Sequence, residues 1–337
     1  VQFGPADYSM NCGYAKNSKE VKEAEKHVIK TALKNGVQPR VEITQAQQAQ
    51  PYLEMGVTHF SLGTEVKILK EYWNNEESRI YLVHGKENIP FHTTMFPAML
   101  SGIGLEKSEI RIFSSQYLTL EGKTFSTNRN WAVWVPYIME RYNIDSIRYY
   151  LISRGAEEKN SDFTWRDFIN ANNNELVGEI GNFTNRVLTF IKKNFNGEIK
   201  GEELPLQWKN LIRRTYASVG NKFENGEFKS GLKEMFNLIK QGNDFFDKNK
   251  PWILINNNKK KCEEVLYICA QILVALTDLM NPIIPFTCEK IKMFLGINDT
   301  KWNFEERKNI RFNRVEFLFD KIDKKVAIEE LNRLKNK

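Results

Sequence analysis

The stretch NNELVGEIGNFTNRVLTFIKKNF, residues 173–195, decides the fold of the second half of the chain. Its apolar residues recur every three or four positions, the spacing that places side chains on one face of an α-helix. Such a helix must bury that face against other helices, so the stretch predicts a helical bundle. The predicted core face comprises Leu176, Ile180, Phe183 and Val187, with Leu188 and Ile191 beside it.

The residues that follow this stretch supply the partners that a bundle needs. Further amphipathic segments occupy residues 211–226, 228–249 and 262–296, and short polar links separate them. Four or more long helices with short connections favour an antiparallel bundle. We therefore predict an all-α region at 159–323, followed by a C-terminal helix or tail at 324–337.

The region before the bundle alternates short apolar runs with amphipathic ones, which is typical of parallel strands covered by helices. After a polar hinge at 74–78, strands at 79–85 and 110–122 flank a helix that starts near Pro90. The first part of the protein is therefore predicted to be α/β. The elements predicted before the hinge are, in order, a strand end with a Gly-Pro turn in VQFGPADYS, a helix at 18–36, a strand at 40–43, a helix at 45–56, a strand at 57–64 and a helix at 65–73.

Composition and charge narrow the class of protein. The chain has 337 residues, and at roughly 150 residues per domain this corresponds to about two domains. Its net charge of +7 favours polyanionic partners, nucleic acid first, although solubility alone is an alternative reason for a basic excess.

Cysteine usage and hydropathy indicate the compartment. The four cysteines are Cys12, Cys262, Cys269 and Cys288. They form no C-x-x-C pair, so we predict no zinc knuckle, and their scatter indicates reduced, mostly buried thiols in a cytoplasmic protein. The longest apolar stretch, residues 272–280, is too short to span a bilayer, so we predict no membrane partner. No signal peptide is visible, and the start at Val1 suggests a fragment.

Residues 121–130, EGKTFSTNRN, concentrate Gly, Lys, Ser, Thr, Asn and Arg in one polar run. Cations, hydroxyls and small residues in a mobile loop suit the binding of a phosphate group whose charge grows during a reaction. The same composition also suits a solvated turn. Composition alone leaves both alternatives open.

Several stretches together resemble the methionyl-tRNA synthetases, a family of class I aminoacyl-tRNA synthetases. The resemblance covers residues 78–323 and implies two parts. The first, at 78–158, is the C-terminal part of a catalytic domain, with the second half of a Rossmann-like nucleotide-binding fold, and the second, at 159–323, is a helical anticodon-binding domain. The matching stretches are LVHGKENIPFHTTMFPAML (82–100), EGKTFSTNRNWAVWV (121–135), the segment at 143–190, NKPW (249–252), NPIIPFT (281–287) and FLFDKID (317–323).

By this resemblance the expected activity is methionine–tRNA ligation. ATP, with Mg²⁺, activates methionine, and the acyl group passes to tRNA(Met), whose CAU anticodon the helical domain reads. In the family's signature loop the aligned residues here run from Thr124 to Asn128, and Thr124 stands where the family has a lysine. A neutral side chain cannot replace a cation that faces the departing pyrophosphate. The candidate catalytic residues are Lys123, Ser126, Thr127 and Arg129.

The resemblance also assigns Gly85 and Glu87 to ATP binding and His92 to the methionine pocket. Glu87 replaces the family's aspartate, so its longer side chain must fold back or sit displaced. Taken without the family, Glu87 is a surface-turn residue and His92 a helix cap or a core filler. The family's His-Ile-Gly-His-type motif is absent from this sequence, so we expect an upstream segment or a separate chain to supply the first catalytic half.

Three residues of the helical part are matched by the resemblance to anticodon reading. Asn182 and Arg186 are four positions apart and share a helical face, where an amide and a guanidinium can address a base. Trp252, set by the preceding proline, offers a platform for an unstacked base, and core packing is its alternative role. Lysines that could meet phosphates are Lys192, Lys193, Lys248 and Lys250.

Residues 1–73 resemble a different family, the C-terminal end of the HpcH/HpaI-type metal-dependent aldolases. The resemblance lies in FGPADYSMNCGY and YLEMGVTHFSLGTEVKIL and implies a partial β/α barrel segment. It makes Asp7 a vestigial divalent-metal ligand, because the partner glutamate of that site is missing and one carboxylate does not hold a hard cation.

Three functions therefore remain open on the sequence. The protein belongs to a methionine–tRNA ligase, or it binds tRNA without aminoacylation, or it is a 2-oxo acid aldolase with a synthetase-derived appendage. The Thr124 substitution and the absence of the His-Ile-Gly-His-type motif both favour the second for this chain alone.

Overall fold

A computed structural model describes residues 3–15, 18–43, 46–62, 75, 77–104, 110–297 and 301–335. The protein divides into two units, one comprising 1–81 with 103–111 and the other comprising 82–102 with 112–337. Among the described residues, no helix is long and apolar enough to cross a membrane.

The first unit contains the parallel strand pair that the alternating pattern predicts. Its described elements are α1 (Pro5–Cys12), α2 (Lys19–Lys34), β1 (Arg40–Ile43), a 3₁₀ turn (Ala46–Ala49) that leads into α3 (Gln50–Glu54), and β2 (His59–Leu62). β1 and β2 pair in parallel, with Arg40 opposite His59. Ile29, Val41, Ile43 and Val57 form the core of this unit. The helix predicted at 65–73 lies outside the described residues.

One prediction for the first unit is wrong. The strand end and Gly-Pro turn expected in VQFGPADYS are replaced by helix α1, which begins at Pro5. Proline at the first helical position has the right φ and needs no hydrogen-bond donor, and no β-branched residue follows it within α1. Gly13, with φ +71°, ends the helix in the left-handed conformation.

Strands and short helices follow, and most of their residues belong to the second unit. Strands β3 (Ile80–Gly85) and β4 (Ile110–Ser115) form one pair, and a π-type turn (Phe91–Met95) leads between them into α4 (Phe96–Gly102). Strands β5 (Leu118–Leu120) and β6 (Ser161–Phe163) pair in parallel, with Leu120 opposite Phe163. The sequence predicted one strand at 110–122, whereas the structure breaks it at Gln116 and Tyr117.

Helices dominate the remainder. They are α5 (Val135–Arg141), α6 (Ile144–Ser153), α7 (Trp165–Asn170), a π-type run (Ala171–Gly181), α8 (Asn182–Phe195), α9 (Leu206–Glu224), α10 (Phe228–Asn249), α11 (Pro251–Asn257), α12 (Lys259–Met280), α13 (Pro285–Leu295) and α14 (Val326–Lys335). Strands β7 (Glu198–Lys200) and β8 (Asn309–Arg311) form an antiparallel pair. The predicted helical character of this region is confirmed, and α14 lies within the range predicted for a C-terminal helix or tail.

The core of the second unit is built around α12. Most of this helix is buried, from Cys262 to Met280, and it packs against α8, α9, α10, α11 and α13. The amphipathic face predicted at 173–195 is confirmed as core, since Leu176, Val187 and Ile191 are fully buried.

The cysteines follow the sequence prediction. All four are free, and three of them are buried. Burial raises the pKa of the Cys262 thiol to about 11, because an apolar environment disfavours the thiolate.

Candidate functional site

The predicted ATP-binding residues meet at the end of β3. Gly85 closes the strand, and the Glu87 carboxylate folds back over it, since a Cβ placed on Gly85 would lie 2.5 Å from Oε1 of Glu87. A side chain at position 85 would displace this carboxylate from its position over the strand end. Between them, Lys86 donates to Oε1 of Gln116 at 3.0 Å and lies 4.3 Å from the centre of the Tyr117 ring. Lys86 therefore ties the end of β3 to the residues just beyond β4.

His92 lies next to this strand end, in the first turn after Pro90. Its Nδ1–H donates to the carbonyl of Asn88 at 3.0 Å, which leaves Nε2 as the acceptor of the neutral ring. The ring stacks on His84, with centroids 4.4 Å apart and planes 13° from parallel. Because His84 directly precedes Gly85, the structure brings His92, Gly85 and Glu87 together as one group.

The base of the polar loop is anchored by an aspartate that the sequence analysis missed. Asp162 on β6 accepts the Gly122 N–H at 2.9 and 3.0 Å and the Thr119 hydroxyl at 2.6 Å. Glu121, with φ +48°, accepts the backbone N–H of Trp165, the first residue of α7. The turn that starts the loop is thus fixed to the first elements of the helical region.

The tip of the loop forms a closed turn. Ser126 and Trp131 exchange both backbone hydrogen bonds, at 3.0 and 2.9 Å, and the Arg129 N–H donates to the Ser126 hydroxyl at 3.3 Å. The ammonium of Lys123 lies 4.7 Å from the centre of the Trp131 ring, a cation–π distance. The exposed residues of the loop include Lys123, Thr124, Thr127 and Arg129.

In the helical region, the structure joins Arg186 to residues on α10. Its guanidinium forks to the Asp247 carboxylate, donates to Oδ1 of Asn243 at 3.2 Å, and lies 4.7 Å from the centre of the Phe246 ring. Asn182 is exposed at the first position of α8, one turn before Arg186. The predicted common face of Asn182 and Arg186 is therefore present at the surface.

Trp252 reaches the same place from a different helix. Its ring is 46% exposed, and its centroid lies 6.2 Å from that of Phe246, which is buried. Lys250 adopts φ +46° between α10 and α11, and Pro251 starts α11, so this junction fixes the direction of the tryptophan. Arg186 and Trp252 thus both contact the ring of Phe246, which the sequence alone did not reveal.

Lysines lie on the helices that carry this surface and at the junction before Trp252. The four predicted lysines are all at least partly exposed: Lys192, Lys193, Lys248 and Lys250. Lys259 adds a further cation, placed 5.5 Å from the centre of the Phe195 ring. Cations around an exposed tryptophan and a guanidinium suit a nucleic acid with unstacked bases.

The sequence analysis missed Asn243, Phe246 and Asp247, which complete this group. The available signal was their spacing, since positions 243, 246 and 247 fall on one face of a helix. Nothing in the sequence placed that face against Arg186, more than fifty positions earlier.

Asp7 lies in the first turn of α1. Over the described part of the protein, no group of three or more His, Cys, Asp or Glu side chains is arranged to hold a metal ion. The vestigial-ligand role of Asp7 stays a prediction.

Two family models match the protein. Residues 51–188 match "tRNA synthetases class I (M)", and residues 197–333 match "Anticodon binding domain of methionyl tRNA ligase". The first match starts at residue 51, inside the segment that the sequence analysis compared with aldolases. These matches give the aldolase interpretation no support.

Curated relatives agree with the family models. The protein is 42% identical over 264 residues to "Methionine--tRNA ligase 1" of Alkaliphilus oremlandii, a match that covers 78% of this chain and 49% of the relative. It is 42% identical over 266 residues to "Methionine--tRNA ligase" of Streptococcus pneumoniae, covering 79% and 49%. The protein therefore spans about half the length of the curated relatives it matches.

Solved structures share the fold. Methionyl-tRNA synthetase of Mycobacterium tuberculosis in its free state aligns with a TM-score of 0.65 at 20% identity, covering 76% of this protein and 52% of that one. The form of that enzyme bound by methionyl-adenylate aligns with a TM-score of 0.67, covering 75% and 52%.

Proposed function

Because residues 51–333 belong to the methionyl-tRNA synthetase family, we propose that this protein forms the C-terminal part of a methionine–tRNA ligase. In that enzyme ATP activates methionine, and the acyl group passes to tRNA(Met). Within that enzyme, this protein would recognise the CAU anticodon and contribute the signature loop. We also propose a cytoplasmic location, which the three buried free cysteines support.

The main support for this proposal is that Arg186 and Trp252 both contact the ring of Phe246. An exposed indole beside a guanidinium, both resting on buried Phe246, presents two flat surfaces on which unstacked bases can stack. Asn182, one turn away, supplies an amide that can read a base edge. Exposed lysines nearby would contact the phosphates of the anticodon loop.

The strand end and the loop would serve the activation step. We propose that Gly85 and Glu87 face the ATP ribose and that His92 borders methionine. Ser126, Thr127, Arg129 and Lys123 would then lie toward the triphosphate, whose charge Mg²⁺ would share. Thr124 supplies no cation there, so this loop offers less positive charge than the family pattern.

The strand–helix part of the proposed catalytic region presents an open apolar surface. Val83 is 75% exposed, and Met95 and Met99 are 58% and 59% exposed. Several exposed apolar side chains within one short segment suit a surface that another segment covers. We propose that the first half of the nucleotide-binding fold covers it, supplied by the same polypeptide or by a separate one.

Binding to an anticodon stem-loop RNA tests the proposal. Trp252→Ala should weaken binding of a CAU stem-loop by about 1–3 kcal/mol, the range for loss of one stacked base. Trp302 is a matched control, because it is 45% exposed and Trp252 is 46% exposed. If Asn182→Ala, Arg186→Ala and Trp252→Ala all bind like the parent, the proposed recognition surface is wrong.

The second candidate is a tRNA-binding protein without aminoacylation, which the neutral Thr124 favours. Methionine-dependent ATP–pyrophosphate exchange separates the two functions. Exchange above background, once the first half of the fold is supplied, supports the ligase. RNA binding with no exchange supports the binding protein.

A further inference from the structure

A buried carboxylate links the C-terminal helix to the helix that follows the polar loop. Glu330 on α14 is 4% exposed. Its Oε1 accepts the hydroxyls of Tyr137 at 2.8 Å and Tyr142 at 2.7 Å, and its Oε2 accepts Nε–H of Arg333 at 3.0 Å. A carboxylate this deeply buried is stable only when its partners remain in place. The four groups therefore act as one unit, which we call the Glu330 cluster.

The Glu330 cluster holds α5 at both of its ends. Tyr137 lies in the first turn of α5, and Tyr142 follows the last residue of the helix. The Tyr137 ring is also enclosed by two guanidinium groups, Arg333 at 3.3 Å and Arg141 at 3.9 Å from its centre. Burial and the neighbouring Glu330 raise the pKa of Tyr142, which keeps its hydroxyl protonated as a donor.

A short series of contacts runs from α5 to the loop. The indole N–H of Trp134, the residue before α5, donates to Oδ1 of Asn130 at 2.9 Å. Asn130 directly precedes Trp131, whose backbone closes the loop on Ser126 and whose indole N–H donates to the Leu120 carbonyl at 2.9 Å. Since the tip of the loop is exposed, α5 is one of the elements that determine where it lies.

We propose that Glu330 is a positioning residue for the loop at 121–131. Through Tyr137 and Tyr142, the C-terminal helix sets α5, and α5 sets the loop that carries Ser126, Thr127 and Arg129. An effect on catalysis rests on the proposed function, whereas the coupling between α14 and the loop at 121–131 does not. A change in α14 therefore alters the position of the loop, although the two are nearly two hundred positions apart in the sequence.

Amide hydrogen exchange of the whole protein measures the coupling directly. Glu330→Ala should speed exchange at the Ser126 and Trp131 amides by about tenfold, the effect of losing one hydrogen bond to a charged group. Amides of the α12 core should exchange as in the parent. A cavity of about 550 Å³ borders the cluster, so water can solvate the tyrosine hydroxyls that the truncation leaves.

Matched variants separate positioning from general loss of stability. Glu329→Gln changes an exposed carboxylate on the same helix and should leave loop exchange unchanged. Tyr137→Phe removes one donor with little change in volume and should speed loop exchange by a smaller factor than Glu330→Ala. Glu330→Gln keeps one acceptor and should fall between the parent and Glu330→Ala.

Two outcomes would overturn the proposal. In one, Glu330→Ala speeds exchange within α14 and leaves Ser126 and Trp131 as in the parent. In the other, exchange rises equally at the loop and in α12, which would indicate global destabilisation. If loop exchange responds but methionine-dependent pyrophosphate exchange is absent from parent and variants alike once the first half of the fold is supplied, the proposed function fails and the coupling stands.

Discussion

Helix α12 and the strand–helix segment at 82–102 differ in how far their apolar residues are buried. In α12, residues from Cys262 to Met280 are almost all buried against neighbouring helices. In the strand–helix segment, Val83, Met95 and Met99 are more than half exposed, and Leu100 is buried beside them. The apolar residues of α12 are thus covered by neighbouring helices, whereas the strand–helix segment leaves several of its own exposed.

This difference separates the two parts of the proposed function. Arg186, Trp252 and the Phe246 ring that both contact belong to the helical region, so the proposed recognition surface lies within that region. Gly85, Glu87 and His92, the proposed substrate-binding residues, belong to the strand–helix segment in which several apolar side chains are exposed. We therefore expect binding to survive in this protein alone and activation to require the missing half of the fold.

The largest predicted contrast is in stability. Leu266 on α12 is fully buried, and Leu266→Ala should lower the free energy of unfolding by about 2–5 kcal/mol through lost burial and a residual cavity. Val83→Ala should change it by less than about 0.5 kcal/mol, because Val83 is mostly exposed. Urea unfolding of both variants measures this. Equal losses would mean that the surface at Val83 is covered within this protein.

The second prediction concerns the charge of the loop. Losing one electrostatic contact to a developing anion typically costs about 2.7–4 kcal/mol, or 10²–10³ in rate. Thr124→Lys should therefore raise methionine-dependent pyrophosphate exchange by up to about a hundredfold once the first half of the fold is supplied. Thr124→Met is the control for length without charge. No gain with lysine would indicate that Lys123 leaves Trp131 and already serves the phosphates.

How much of the structure can be predicted from the sequence depends on how far apart in the sequence the interacting residues lie. The bundle helices and the common face of Asn182 and Arg186 follow from i, i+4 periodicity, which is local. The salt bridge between Arg186 and Asp247 and the contacts of Glu330 with two tyrosines join residues far apart in sequence, so no local pattern contains them. The error at Pro5 is of another kind, since a Gly-Pro pair can begin a turn or a helix.

The third prediction uses a buried tyrosine on α6. Tyr150 is 2% exposed, and burial raises its pKa from the ordinary 10.0 to about 12. In the unfolded protein this tyrosine ionises first, so its contribution to stability is complete below pH 10 and is lost as the pH rises toward 12. The loss should be about 2–3 kcal/mol. Urea unfolding at about pH 9 and about pH 11.5 should show a smaller decrease for Tyr150→Phe than for the parent, and an equal decrease would remove Tyr150 as a cause.

The smallest predicted effect tests how the recognition surface is held before RNA binds. Asp247 pairs with Arg186 and carries negative charge where phosphates would approach, although its side chain is 54% exposed. An exposed pair of this kind is worth about 0–1 kcal/mol. Asp247→Asn should therefore tighten binding of a CAU stem-loop by about fivefold or less and reduce its discrimination against other anticodons.

The control for net charge alone is Asp244→Asn, on the same helix as Asp247 and three positions before it. It removes the same charge without touching the pair with Arg186, so it should tighten binding less and leave discrimination among anticodons unchanged. Weaker binding by Asp247→Asn would reverse the interpretation, because it would mean that the carboxylate holds Arg186 in the geometry that the bases require.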